Sequence, residues 1–174
     1  MIITKDELIS SLEHEVQIVL HLISKIEPQM LDYRPTPKQR SMLELVQYLV
    51  IVVPVQLRVI QSGTFDMDSF RARWLPEEEK AKAMNLEQAT AAIAKQPEVI
   101  REVVNSLSDA ELRQEMEMFG SRKTRGAWLV TMALPHYAAY RMQLFLYLKS
   151  CGREELNTMD VWAGKSAPMP AAAA

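Results

Sequence analysis

Along the first thirty positions, apolar residues recur at steps of three and four: Leu8, Leu12, Val16, Val19, Ile23 and Ile26. That spacing stacks one apolar face down a helix, because successive side chains turn by about 100°. Thr4 and Glu7 stand at capping-box spacing before the run and Pro28 closes it, which predicts a helix from Thr4 to about Glu27. A second run starts at Ser41, with Glu44 in the matching position, and continues through Leu45, Leu49, Val52 and Val59 to Ser62–Gly63. Its LVIVVPV stretch is β-branched, as in a strand, but the cap and the length of roughly twenty residues favour helix. The stretch 64–84 is polar and reads as irregular, with Phe70 and Trp74 folding back onto the body, and its PEEEK run reads as a helix start or a solvated turn. A third helix is predicted from an Asn85 cap to about Leu107, then a short one capped by Ser108 and Glu111. A loop, FGSRKTRG, leads to a fourth long helix from Ala127 to Cys151, stopped by Gly152. No strand is expected. This pattern predicts an all-α four-helix bundle with short additional helices over residues 1–156. Residues 157–174 are expected to form a mostly flexible tail, in which Trp162 is the residue suited to docking.

Polar residues interrupt the apolar faces at a few places. On helix four, Leu129, Ala133, His136, Tyr140, Gln143 and Tyr147 share a sector of about 80°. On helix two, Tyr48 lies on the same broad side as Leu45 and Val52, with Gln56 two turns further on. If helices two and four face one another, Tyr48 joins His136 and Tyr140 in a polar cluster inside the bundle. The other reading is a set of satisfied core hydrogen bonds, since buried Tyr and His ordinarily find partners. Two prolines, Pro54 and Pro135, fall within predicted helices, and each removes a donor from the carbonyl four residues back. A kink beside His136 would open space there. His14 and His21 lie opposite the apolar stripe of helix one, about 10 Å apart along the axis, too far to share one metal ion. Both read as surface residues.

Composition narrows the function classes. A formal net charge of −2 leaves no electrostatic footprint for nucleic acid. The start, MIITKDELISSLEHE, lacks the basic and apolar regions of a signal peptide. Helix two is interrupted by Glu44, Gln47, Gln56 and Arg58, which argues against a membrane span. The single cysteine, Cys151, excludes an internal disulfide and fits a cytoplasmic location. Arg122, Lys123 and Arg125 gather beside the start of helix four, where an anion or plain solvent would suit them. Helix four is apolar on nearly every side, with Val130, Leu134, Leu144, Phe145, Leu146 and Leu148, so a homodimer is expected.

Two stretches carry a family resemblance. LDYRPTPKQRSMLELVQYLV resembles the signature of the DinB-like (DinB/YfiT) four-helix-bundle family: an Arg-Pro turn, a capped Ser-x-x-Glu helix start, and a metal-binding His followed by Leu seven residues after the Ser. HYAAYRMQLFLYLKSCG resembles its second signature, a His-x-x-x-His-Arg pair opening a long apolar helix that ends in Gly. The resemblance implies three histidines binding one divalent metal, which activates a thiol or water for transferase or hydrolase chemistry. By position the three ligands fall on Tyr48, His136 and Tyr140, so one imidazole remains, and Arg40 stands where the family commonly has tryptophan before the Ser. Neutral imidazole suits zinc or nickel, whereas a phenol must first lose a proton with an ordinary pKa of about 10. The expectation is therefore a degenerate metal site without a cofactor, in a small-molecule-binding or accessory protein with its ligand inside the bundle. The alternative is a metal-dependent hydrolase or thiol S-transferase using this altered set around a divalent zinc or nickel ion, or ferric iron.

Overall fold

The computed structural model describes residues 3–166. Helix α1 (Lys5–Ile23) and helix α2 (Met42–Ser62) both begin with a complete capping box, Thr4 with Glu7 and Ser41 with Glu44. Each box satisfies two of the amide donors that a helix start leaves without partners. α2 ends on Gly63 at φ 75°, a left-handed conformation that glycine adopts without strain. It is long and apolar enough to cross a membrane, with mean hydropathy 1.8 over its most apolar window, yet 67% of that window is buried within the bundle.

The third predicted helix is divided. α4 (Leu86–Ala94) starts at a capping box between Asn85 and Gln88, and α5 (Gln96–Ser106) restarts at Pro97, whose ring prevents continuation of the preceding turn. The fourth is a rod of three parts: α7 (Arg125–Trp128), a π-helical turn over Leu129–Ala133, and α8 (Leu134–Ser150). Pro135 cannot donate to the turn before it, and the widened turn falls immediately ahead of it. α1 packs on α5 and α8, while α2 packs on α4, α5 and α8, which gives the bundle its common core. Met142 and Leu146 stay exposed on α8.

Two expectations are corrected. Residues expected to be irregular form helix α3 (Met67–Lys82), capped by Asp66 and laid against α2. Its PEEEK run lies within the helix, and Phe70 and Trp74 turn toward α2 beside the buried Ala81. The loop read before helix four is a hairpin, β1 (Glu115–Met118) with β2 (Ser121–Thr124), which follows the short helix α6 (Asp109–Arg113). EMEM alternates outward and inward, so Met116 and Met118 are buried, as period-two strand geometry requires. Phe119 and Gly120 form the turn, both with positive φ, 51° and 72°.

The expected flexible tail begins with a helix, α9 (Thr158–Ala163), packed on α1. Asp160, 1% exposed, accepts from the Asn157 amide at 2.9 Å and the Ser166 hydroxyl at 3.0 Å, and pairs with His21 at 2.8 Å. His21 is therefore not a free surface residue, whereas His14 is exposed and meets the carbonyl of Trp162 at 3.2 Å. Burial alone would raise the Asp160 carboxyl; the Asn157 amide, His21 and Ser166 outweigh it and hold the group below its ordinary range. A depressed carboxyl stabilises the docked helix above the unfolded-state value and ceases to do so as pH falls through the lower folded value. Asp160→Ala is expected to weaken α9 docking by about 1–3 kcal/mol, seen as faster amide hydrogen exchange over 157–166 while α2 and α8 amides keep their protection. Unchanged exchange there would show that the buried carboxylate does not hold α9.

Candidate functional site

The sequence places Tyr48 in the second turn of α2 and His136 and Tyr140 one turn apart on α8, and the packing of α2 on α8 brings all three together. The Tyr48 and Tyr140 rings meet edge to face, 5.0 Å between centroids at 71°. The His136 ring lies 6.1 Å from that of Tyr140. All three side chains are half-buried, at the flank of the bundle core. The buried residues of α8 are Tyr137, Arg141, Leu144, Tyr147 and Leu148, so of the six residues read as one sector Leu129, Ala133 and Tyr147 are buried, while His136, Tyr140 and Gln143 lie at its edge. The π turn inserts a wider step before His136, so a wheel drawn at a constant angle through residues 129–147 does not hold across it.

Around Tyr48 the groove between α2 and α3 opens to a volume of about 390 Å³. Arg40, Glu44, Gln47 and Ile51 line one side and Glu78, Ala81 and Lys82 the other. The Arg40 guanidinium lies 3.8 Å from the centroid of the Tyr48 ring, and Trp74 approaches from α3 at 5.8 Å. Arg40 is held by its neighbour's chemistry: its carbonyl accepts from the Tyr147 hydroxyl at 3.1 Å, and Gln143 donates to that hydroxyl at 2.7 Å. Burial, and then the adjacent Tyr140 phenol, push the Tyr48 hydroxyl above its ordinary range, with Arg40 pulling more weakly the other way. Tyr48 is therefore a neutral phenol at physiological pH.

His136 is engaged on both sides. Its Nδ1 lies 2.5 Å from the carbonyl of Met132, in the π turn. A carbonyl only accepts, so Nδ1 carries the proton and, in the neutral ring, Nε2 is an acceptor. The Gln56 amide nitrogen, 3.2 Å away, donates to that Nε2. Gln56 stands two turns beyond Tyr48, and it lies on the buried side as its position in the α2 pattern indicated. Its pairing with His136 was the part that sequence reading missed, since no spacing rule links residues 56 and 136.

The remaining candidates disperse. Arg125 is buried under the end of α2, donating through Nε to the Ile60 carbonyl at 3.0 Å and through its second terminal nitrogen to the Gln61 carbonyl. Arg122 pairs with Glu117 at 3.5 Å and Lys123 lies over Trp128 at 4.5 Å, so the basic loop forms no anion cluster. Cys151 is a lone thiol, half-buried and raised by that burial.

The DinB family model matches residues 1–170. The chain belongs to the DinB family. A DinB-like protein from Bacillus subtilis, YjoA, known from a crystal structure, shares the fold with a TM-score of 0.63 at 20% identity, over 86% of this chain and 95% of that one. No match was found among curated proteins.

DinB proteins are in general associated with metals, and Tyr48, His136 and Tyr140 are a poor fit to one. Among the described residues no group of three or more His, Cys, Asp or Glu side chains gathers to hold an ion. The one imidazole at the site has its acceptor nitrogen committed to an amide donor, and Tyr48 resists loss of its proton. Zinc or nickel would have to displace Gln56 and ionise a phenol before gaining two good ligands.

Proposed function

We propose that this DinB-family protein is a metal-free small-molecule binder whose ligand occupies the groove floored by Tyr48. The observation that carries the reading is the engagement of both His136 ring nitrogens, by the Met132 carbonyl and the Gln56 amide. A histidine satisfied in this way positions Tyr140 and the α2–α8 contact without any ion. The groove, at about 390 Å³, falls in the range of about 300–1,000 Å³ common to ligand sites. Its walls offer a cation and an anion on each side, Arg40 and Glu44 opposite Lys82 and Glu78, around the apolar Ile51 and Ala81. That lining favours a polar ligand with a flat apolar part able to lie on the Tyr48 edge.

Elemental mass spectrometry of untagged protein, after incubation with zinc, nickel, manganese and iron and removal of free ions, tests the proposal. Wild type and His136→Ala are both expected to carry far less than one ion per chain. Near-stoichiometric metal in the wild type that disappears in His136→Ala would overturn it and favour a hydrolase or thiol transferase.

A further inference from the structure

Helix α8 and the π turn ahead of it turn a face without charge to solvent. From 131 to 150 the exposed residues are Thr131, Pro135, Ala139, Met142, Leu146 and Ser150, a single stripe at steps of four, four, three, four and four. Other helices of the bundle do otherwise: α3 and α5 turn Asp68, Arg73, Glu98 and Glu102 outward. The arginine and lysine that α8 does carry are engaged within the chain. Arg141 is buried and pairs with Glu15 at 3.2 Å, and Lys149 donates to the Glu154 and Leu156 carbonyls at 2.6 and 3.2 Å. Met142 and Leu146 are 39% and 54% exposed. Trp162 on α9, 62% exposed, lies 5.2 Å from the Arg141 guanidinium and extends the apolar patch on one flank.

We propose that this face of α8 is the interface of a homodimer, in which two copies cross antiparallel about a two-fold axis between Ala139 and Met142. An outer helix face that is apolar, beside an inner face already packed, marks a surface built for a partner. The order of the stripe says which partner. Its spacing is the same from either end, so the two-fold lays each exposed position of one copy on an exposed position of the other. Met142 then meets the partner's Ala139, and Leu146 meets the partner's Pro135. Long side chains fall opposite short or compact ones, as interdigitated helix packing requires. No like charges meet across the axis, because the stripe holds none.

The extent of the patch sets the strength. A stripe about 30 Å long and about 10 Å wide, even widened by Trp162, falls short of the ~800 Å² per partner of a standard interface, so the dissociation constant is expected on the order of 10 μM. The inference goes beyond the groove reading and does not depend on it.

Sedimentation velocity of the full chain, from about 1 to about 300 μM, reads the association. Wild type is expected to pass from monomer to dimer across that range. Met142→Glu and Ala139→Lys, each of which buries a lone charge beside the axis, should each raise the dissociation constant by about tenfold or more. Mixing the two variants should restore a dimer, because the introduced carboxylate faces the introduced ammonium at one of the two equivalent contacts while the other keeps Met142 on the partner's Ala139. Both positions are exposed, so neither change enters the core. Leu75→Glu, at a residue 54% exposed on α3, should leave association unchanged. Monomer throughout the range, a dimer indifferent to both α8 variants, no dimer on mixing them, or equal dissociation by Leu75→Glu would each overturn the inference.

Discussion

Gln96→Leu is expected to lower the unfolding free energy by about 2–6 kcal/mol, through two buried polar groups each costing about 1–3 kcal/mol when left without partners. Pro54 has no amide hydrogen, so the Val50 carbonyl on α2 loses its helical donor. Gln96, 2% exposed on α5, supplies the replacement: its nitrogen donates to the Val50 carbonyl at 3.0 Å and to that of Leu49 at 2.8 Å. Its oxygen accepts from the Tyr137 hydroxyl on α8 at 2.6 Å, in a site where burial drives that phenol well above its ordinary range. One side chain thus closes a proline defect and ties three helices. Leucine has a similar volume, so the loss isolates the hydrogen bonds from the packing. Urea unfolding with an unchanged m-value reads it. Pro54→Ala in the Gln96→Leu background restores a donor to Val50 and is expected to recover part of the loss. A change below about 0.5 kcal/mol in Gln96→Leu would show the network to be inert.

The second large effect is expected at Arg125. Arg125→Ala should cost about 3–5 kcal/mol, the range for breaking a buried charged network. The side chain, 5% exposed, donates to the Ile60 and Gln61 carbonyls at the end of α2 and to the Gln114 side chain at 3.2 Å. These carbonyls are among the four that a helix end leaves open. Gly63 leaves the space for it: a Cβ there would stand 3.4 Å from the guanidinium carbon. Arg125→Lys should recover less than half, because an ammonium lacks the flat fork that reaches both carbonyls and Gln114. Equal stability of the Lys and wild-type proteins in urea would show that charge alone matters at this position.

The capping residues made most of the bundle legible in the sequence. Thr4, Ser41, Asn85 and Ser108 act locally, and the structure uses each where the spacing placed it. α3 was missed because its acidic run dominates the composition, although Phe70, Trp74 and Ala81 hold a helical stripe. The hairpin was missed because a four-residue strand offers little pattern and Phe119 is an uncommon turn residue. At the site, the nearness of Tyr48, His136 and Tyr140 followed from helix order. The roles of Arg40 and Gln56 did not, since contacts across 8 and 80 positions between unlike side chains leave no periodic trace.

The hydrogen bond between Gln56 and His136 also bears on any attempt to build a metal site into this bundle. Histidines placed at positions 48 and 140 would set two imidazoles beside a third whose acceptor nitrogen already faces an amide N–H. Freeing that nitrogen takes a third change, at Gln56, eighty positions away on another helix. The amide thus acts as a latch, and the first two substitutions gain the use of His136 only once it is removed.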